Sequence, residues 1–161
     1  MEGMLFTGTL FQRILNMKHL KQYKLFENTN VDWLKELFAN LQDEGFNISI
    51  SDNISYRKIN FPKSNKATTL EIDRLSTGKS VIVTEVEISK VDPHPRRSNR
   101  FIIDDVIDTI IQSESYLKGE LNSKIECIYV VDTPRYTYYK GISDLPRGQK
   151  IDKITVAFSK I

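Results

Sequence analysis

The sequence predicts an α/β domain in which a central mixed β-sheet carries helices on both faces. Residues 33–41 and 99–118 place apolar side chains at helical spacing, which predicts two helices packed on a sheet. Residues 46–50 alternate apolar with polar side chains, as a half-buried strand does. Residues 125–131 form an almost continuous apolar run, which is typical of a strand covered on both faces.

The size and composition of the chain predict a single globular domain over residues 1–161. We expect a core at about 31–132, a helical extension at 1–29 and a strand extension at 133–161, because no repeat or Pro/Gly-rich linker divides the sequence. Hydrophobic residues make up 40% and charged residues 27%, which excludes a disordered chain. The single cysteine, Cys127, excludes a disulfide framework and a cysteine-ligated zinc site.

Charge and hydropathy bear on the compartment and the partners. No apolar run approaches the ~20 residues of a membrane span, and residues 1–16 lack the pattern of a signal peptide. We therefore expect a cytoplasmic protein without a membrane partner. The net charge of +2 is too small to indicate a nucleic-acid binder, so phosphates would have to be bound by local clusters of basic side chains.

The first third of the chain is predicted to be largely helical. Apolar residues between 10 and 20 predict a first helix with one apolar face. A second helix over 33–41 can be capped by Asn30 or Asp32. Gly45 stands where a helix C-terminus favours a residue in the left-handed conformation.

The middle of the chain is predicted to be mainly strand. Residues 56–61 either extend the strand at 46–50 or pair beside it. Two further strands, 68–75 and 80–90, are predicted to be joined by a hairpin turn at 76–79.

After the helix at 99–118, three more segments complete the domain. The run 125–131 predicts a strand in which Cys127 is buried. A Tyr/Lys-rich stretch at 135–140 follows, and residues 153–161 predict the final strand.

Carboxylates on the two strands of the predicted hairpin are the candidate site. Because alternate residues of a strand share a face, Glu85 and Glu87 point the same way, and so do Glu71 and Asp73. A loop of three or five residues aligns the two sets, whereas a loop of two or four separates them. We prefer the three-residue loop at 76–78, which places a glycine where a left-handed conformation is favoured, although Asp73 then needs a bulge to reach Glu85.

Two interpretations of these carboxylates stand side by side. Converging carboxylates repel each other and raise one another's pKa values, and a hard cation such as Mg²⁺ relieves that repulsion. Alternatively, Glu85 and Glu87 are solvated side chains on the solvent-exposed face of a half-exposed strand.

The segment LEIDRLSTGKSVIVTEVEISK, Leu70–Lys90, resembles the signature of the PD-(D/E)xK, or restriction-endonuclease-like, nuclease superfamily. The likeness is closest to archaeal Holliday-junction resolvases and the small bacterial endonuclease-like proteins related to them. It extends over about Trp33–Asp132 and includes the element order of the family's αβββαβ core. The resemblance implies a restriction-endonuclease-like core.

The resemblance also implies an activity, hydrolysis of DNA phosphodiester bonds by an endonuclease that depends on Mg²⁺ or Mn²⁺. Asp73 and Glu85 would be carboxylate ligands and the Val86 carbonyl a backbone ligand. Glu87 stands where the family usually has lysine, so it would act as a general base or as a ligand for a second ion, or else the site is degenerate. Three residues are candidates for an extra acidic ligand: Glu36, Glu44 and Glu71.

Basic and aromatic residues after the motif are candidate nucleic-acid contacts. Those after the motif strand are Arg96, Arg97 and Arg100, and those of the Tyr/Lys-rich stretch are Arg135, Tyr138 and Lys140. The alternatives are a solvated loop for the arginines and ordinary packing for the tyrosines of this stretch, Tyr136, Tyr138 and Tyr139. Because cutting two strands often needs two copies of such a nuclease, a homodimer is an expected partner arrangement.

Two other functions fit the same residues. The Glu87 departure motivates an alternative, a nuclease-like domain that has lost catalysis and binds nucleic acid or protein. A triphosphate-tunnel-type phosphohydrolase also carries a Glu-Val-Glu strand, but it needs an acidic strand near its start, where this chain is predicted to be helical.

Overall fold

The computed structural model describes residues 30–90 and 99–160. The helices of these ranges are α1 (Asn30–Leu37), α2 (Ala39–Asp43), α3 (Thr69–Leu75) and α4 (Asp104–Glu120), with a 3₁₀ turn at Ile142–Asp144. The strands are β1 (Phe46–Ile59), β2 (Lys66–Thr68), β3 (Ser76–Lys90), β4 (Phe101–Ile102), β5 (Ser123–Asp132), β6 (Arg135–Tyr139), β7 (Lys150–Ile151) and β8 (Lys153–Lys160). The predicted helix at 1–29 lies outside the described residues.

The main sheet has six strands in the order β1-β3-β8-β5-β6-β2, and β4 pairs separately with β7. The domain combines helices with a sheet, as predicted. All pairings of the main sheet within the described residues are antiparallel, whereas a mixed sheet was expected. The physical reason is β8, which enters between β3 and β5 and runs antiparallel to both. The region predicted as a strand extension, 133–161, therefore contributes a central strand of the sheet.

Helices α1, α2 and α4 share one hydrophobic core with one face of the sheet, which we call the helix face. Phe38 and Ile110 are fully buried there, together with Val86 and Ile154 of the central strands. Gly45 ends the helical segment with φ +94°, the left-handed conformation that the sequence predicted. Among the residues described, no helix is long and apolar enough to cross a membrane.

The other face of the sheet is concave. A small cluster of buried Val83, Cys127 and Ala157 lies on it, packed against Tyr56 and Tyr138 among others. Tyr56 belongs to the edge strand β1 and Tyr138 to β6, near the opposite edge, yet both line one cleft, so the sheet curls strongly. The curl buries β5 on both faces, which confirms the prediction for Cys127.

The predicted hairpin at 68–90 is wrong. Residues Thr69–Leu75 form helix α3, because Thr68 and Glu71 make a helix start: the Glu71 carboxylate accepts hydrogen bonds from the Thr68 N–H at 3.0 Å and its hydroxyl at 2.9 Å. The predicted turn at 76–79 is instead the first part of β3, which pairs with the far end of β1.

Helix α3 lies beside β2 and β6. Its Ile72 reaches the concave side, where it lines a cleft of about 230 Å³ with Tyr56, Arg57 and Tyr138. Strand β1 extends unbroken over Phe46–Ile59, with a bulge at residues 52–53 that the left-handed Asn53 (φ 57°) makes.

Candidate functional site

Glu85 and Glu87 share the concave face, as strand alternation predicted. Their neighbours at alternate positions, Val81 and Val83, belong to the concave cluster, whereas Val86 lies in the core of the helix face. Glu85 and Glu87 remain partly exposed. The prediction that these two carboxylates point the same way is therefore confirmed.

The three predicted site carboxylates are nevertheless held by three different partners. The Tyr56 hydroxyl donates a hydrogen bond to Glu85. Lys153 Nζ lies 3.3 Å from a Glu87 oxygen, and an Arg57 nitrogen lies 2.6 Å from Asp73. In the part of the chain that the structure describes, no group of three or more His, Cys, Asp or Glu side chains is placed to hold a metal ion.

The position of Asp73 follows from the corrected secondary structure. The predicted strand at 68–75 would have set Asp73 on the strand next to Glu85, with a bulge needed to bring the two carboxylates together. As part of α3 its side chain is 88% exposed and pairs with Arg57 instead.

Val86 does not fit the predicted role of backbone ligand. It is paired with Ile50 on one side and Val156 on the other. In an antiparallel sheet the carbonyl of an inner strand points in the plane of the sheet toward a neighbouring strand, not out of the concave face. The residues in this arrangement therefore do not fit a Mg²⁺ or Mn²⁺ ion held by Asp73, Glu85 and Val86.

The candidates for an extra acidic ligand lie elsewhere. Glu36 belongs to α1, which packs on the helix face, opposite Glu85. Glu44 is exposed at the end of α2. Glu71 is engaged in capping α3, and its hydrogen bonds with Thr68 lower the pKa of its carboxyl.

The predicted nucleic-acid contacts fall into three groups. Arg96 and Arg97 lie outside the described residues. Arg100 donates to the Asp132 carboxylate and, at 2.9 Å, to the Lys150 carbonyl, so it ties three segments of the fold together. The remaining residues, on or just after β6, are Arg135, Tyr138 and Lys140; the two basic residues are exposed and the tyrosine is half-buried.

Three tyrosines of β5 and β6 form a row on the concave face, which we call the tyrosine row: Tyr129, Tyr136 and Tyr138. Tyr129 pairs directly across from Tyr138, and their ring centroids are 4.5 Å apart. The rings of Tyr129 and Tyr136 are stacked at 6.4 Å, and Tyr136 is 42% exposed. The sequence analysis did not identify Tyr129 because it lies in an apolar run. Its position two residues after Cys127 would have predicted that the two side chains share a face of the strand.

Burial dominates the electrostatics of the concave face. Burial, together with the Glu85 carboxylate, raises the pKa of Tyr56 far above its ordinary value, so the hydroxyl remains a donor to Glu85. Burial raises the pKa of the Tyr138 hydroxyl as well. The same cause raises the pKa of the Cys127 thiol to about 12, which makes it a poor nucleophile.

Comparisons of the chain with protein-family models, with curated protein sequences and with solved structures gave no match.

Proposed function

We propose that this chain is a binding module whose tyrosine row stacks the bases of a single-stranded nucleic acid. The observation that carries the proposal is the row itself, three rings side by side on a face that α1, α2 and α4 leave open. Every base offers a π-face, so aromatic rings on a sheet bind single strands with little sequence preference.

Basic side chains flank the row where phosphates of such a strand would pass. Lys153 pairs across from Val131, on the row's side of β8. Arg57 lines the cleft beside Tyr138, and Lys140 is exposed just after β6. The ion pairs that now hold Lys153 and Arg57 are largely exposed and are worth about 0–1 kcal/mol each, so phosphate oxygens can compete for them.

The carboxylates of the concave face limit this attraction only in part. Glu85 and Glu87 lie on β3, which β8 separates from β5. Two strand spacings place them about 10 Å from Tyr129 in the plane of the sheet, whereas the curl brings Glu85 close enough to Tyr138 for its charge to contribute to the raised pKa of that tyrosine. Each also has a donor or a cation as its partner, Tyr56 and Lys153 respectively.

The test of this proposal is the affinity for short fluorescent oligonucleotides, measured by anisotropy with single-stranded DNA, single-stranded RNA and duplex DNA. Tyr136→Ala is expected to weaken single-strand binding by about 5- to 150-fold, the equivalent of the ~1–3 kcal/mol that one stacked base contributes. Tyr136→Phe keeps the ring and should bind as the unchanged protein does.

Leu70→Ala is the matched surface control. Leu70 is 95% exposed on α3, and its neighbour Thr69 donates to the Tyr136 carbonyl, so the substitution alters the same surface without removing a ring. Its affinity should be unchanged. Absence of saturable binding to any single strand would contradict the proposal, and so would a Tyr136→Ala effect confined to self-association, which would mark a docking face for a second copy.

Metal-dependent hydrolysis of DNA is the second candidate function, favoured by one observation: Glu85 and Glu87 share the face that carries the tyrosine row. It requires both carboxylates to leave their present partners. We therefore expect binding without cleavage when labelled DNA or RNA is incubated with Mg²⁺ or Mn²⁺. Cleavage that Glu85→Gln and Glu87→Gln abolish, while Glu44→Gln does not, would establish the nuclease instead.

A further inference from the structure

A cleft of about 560 Å³ opens beside β2 and β6 on the helix face, opposite to the tyrosine row, and we call it the edge cleft. Strands β2 and β6, helix α3 and residues 146–149 surround it. Its volume lies within the range of small-molecule sites in proteins. No residue of the tyrosine row lines it, so the edge cleft is distinct from the proposed nucleic-acid face.

The edge cleft presents two basic side chains to a ligand. Lys66 and Arg135 line it and are exposed, and neither forms an ion pair with any residue in the described ranges. Its two carboxylates are already engaged, Glu71 by Thr68 and Arg74, and Asp132 by Arg100 and Gln149. Each carboxylate thus has an arginine partner, Arg74 or Arg100, which leaves the lysine and the arginine of the lining as the cleft's cations for a ligand.

The strand register places Lys66 and Arg135 on the same side of the sheet, in the edge cleft. Lys66 pairs with Tyr139, and Thr68 pairs with Thr137, while Arg135 lies two residues before Thr137 on the same side of β6. The Cα atoms of the two basic residues are thus about 13 Å apart along the strand direction, four residues at strand rise. Both side chains are long and flexible, so they can converge on one anion between them.

The remaining lining divides into apolar and polar parts. Val130 and Tyr139 are buried and form an apolar floor, beside Pro146. Ser64 adds an exposed hydroxyl near the lysine side. A ligand that fits this lining has an anionic head and a small apolar or aromatic body.

We propose that the edge cleft binds a small phosphomonoester, with its phosphate between Lys66 and Arg135 and its organic part against Tyr139 and Val130. A phosphate has three peripheral oxygens and is best satisfied by several separate donors, which an ammonium, a guanidinium and a hydroxyl supply. A phosphomonoester carries about −1.5 to −2 charges at pH 7, more than a carboxylate, so two separate cations favour phosphate.

The test uses phenyl phosphate, inorganic phosphate and benzoate as probes, followed by amide NMR shifts and calorimetry. Phenyl phosphate is expected to shift the amides of Val130 and Thr137 saturably and to bind more tightly than either of the other probes. Lys66→Gln and Arg135→Gln should each weaken it by about tenfold or more, the usual loss when one charged hydrogen-bond partner is removed. Lys124→Gln, at the opposite end of β5, is the matched control and should not.

Three outcomes would overturn the proposal. A phosphate site here would be excluded if phenyl phosphate gave no saturable shift at millimolar concentration. It would also be excluded if benzoate bound as tightly as phenyl phosphate, or if Lys124→Gln weakened binding as much as Lys66→Gln and Arg135→Gln. An oligonucleotide with a 5′-phosphate forms a separate arm: if it alone binds through Lys66 and Arg135, the ligand is a strand end and not a small ester. Tyr136→Ala should leave phenyl phosphate binding intact, so failure of the tyrosine-row proposal and failure of this one are distinguishable.

Discussion

Phe38→Ala is expected to lower the free energy of unfolding by about 3–5 kcal/mol, the usual cost of truncating a buried aromatic side chain. Phe38 is fully buried between α1 and α2, in the core that joins these helices to the sheet. Removing the ring loses its burial and leaves a cavity that close-packed neighbours fill only in part. Urea denaturation followed by circular dichroism measures the change.

Leu70→Ala gives the reference for this experiment, because it truncates an apolar side chain that is 95% exposed. A change within about 0.5 kcal/mol is expected, as for other surface substitutions. If Phe38→Ala cost no more than Leu70→Ala, the α1–α2 layer would not be packed on the sheet in solution.

Alkaline conditions are expected to destabilise the protein strongly, because the concave face buries groups that must stay protonated. Burial, with the nearby Glu126 and Glu85 charges, raises the pKa of Cys127 from 9.0 to about 12. Above pH 9 the unfolded chain loses the thiol proton while the folded chain keeps it, so the unfolded state binds fewer protons and the free energy of unfolding falls as pH rises. Between pH 7.5 and 10.5 the loss from this group is about 2 kcal/mol.

The measurement is urea denaturation at several pH values between 7.5 and 10.5. Cys127→Ala removes the titrating group, so its stability should fall less steeply over the same interval, whatever the variant's stability at pH 7.5. Tyr56→Phe should flatten the curve only near and above pH 10, where an unfolded tyrosine begins to ionise. Parallel curves for Cys127→Ala and the unchanged protein would show that the thiol is not buried in solution.

Local patterns were enough to predict much of the fold, because they reflect interactions between near neighbours in sequence. The helical spacing around Phe38, the left-handed Gly45 and the apolar run that contains Cys127 all correspond to observed features. The shared face of Glu85 and Glu87 followed from strand alternation alone.

The predicted carboxylate site failed to assemble because one local signal was misinterpreted. Thr68 followed three residues later by Glu71 is a helix-start pattern, and it competed with the strand pattern of the same segment. Once Thr69–Leu75 is helical, Asp73 pairs with Arg57 and no longer lies on the strand next to Glu85. The hairpin and the metal site depended on the same assumption.

What the sequence determined alone is most of the longer elements, α3 excepted, and the shared face of residues along a strand, since propensity, capping and periodicity act within a few residues. Only the tertiary structure decided that β8 enters between β3 and β5. The same holds for the curl of the sheet, which places Tyr56 and Tyr138 in one cleft. Strand order and curl depend on contacts between residues far apart in sequence, such as Glu85 with Tyr56 and Lys153 with Glu87. The partners of the candidate site are of this long-range kind, and no local pattern encodes them.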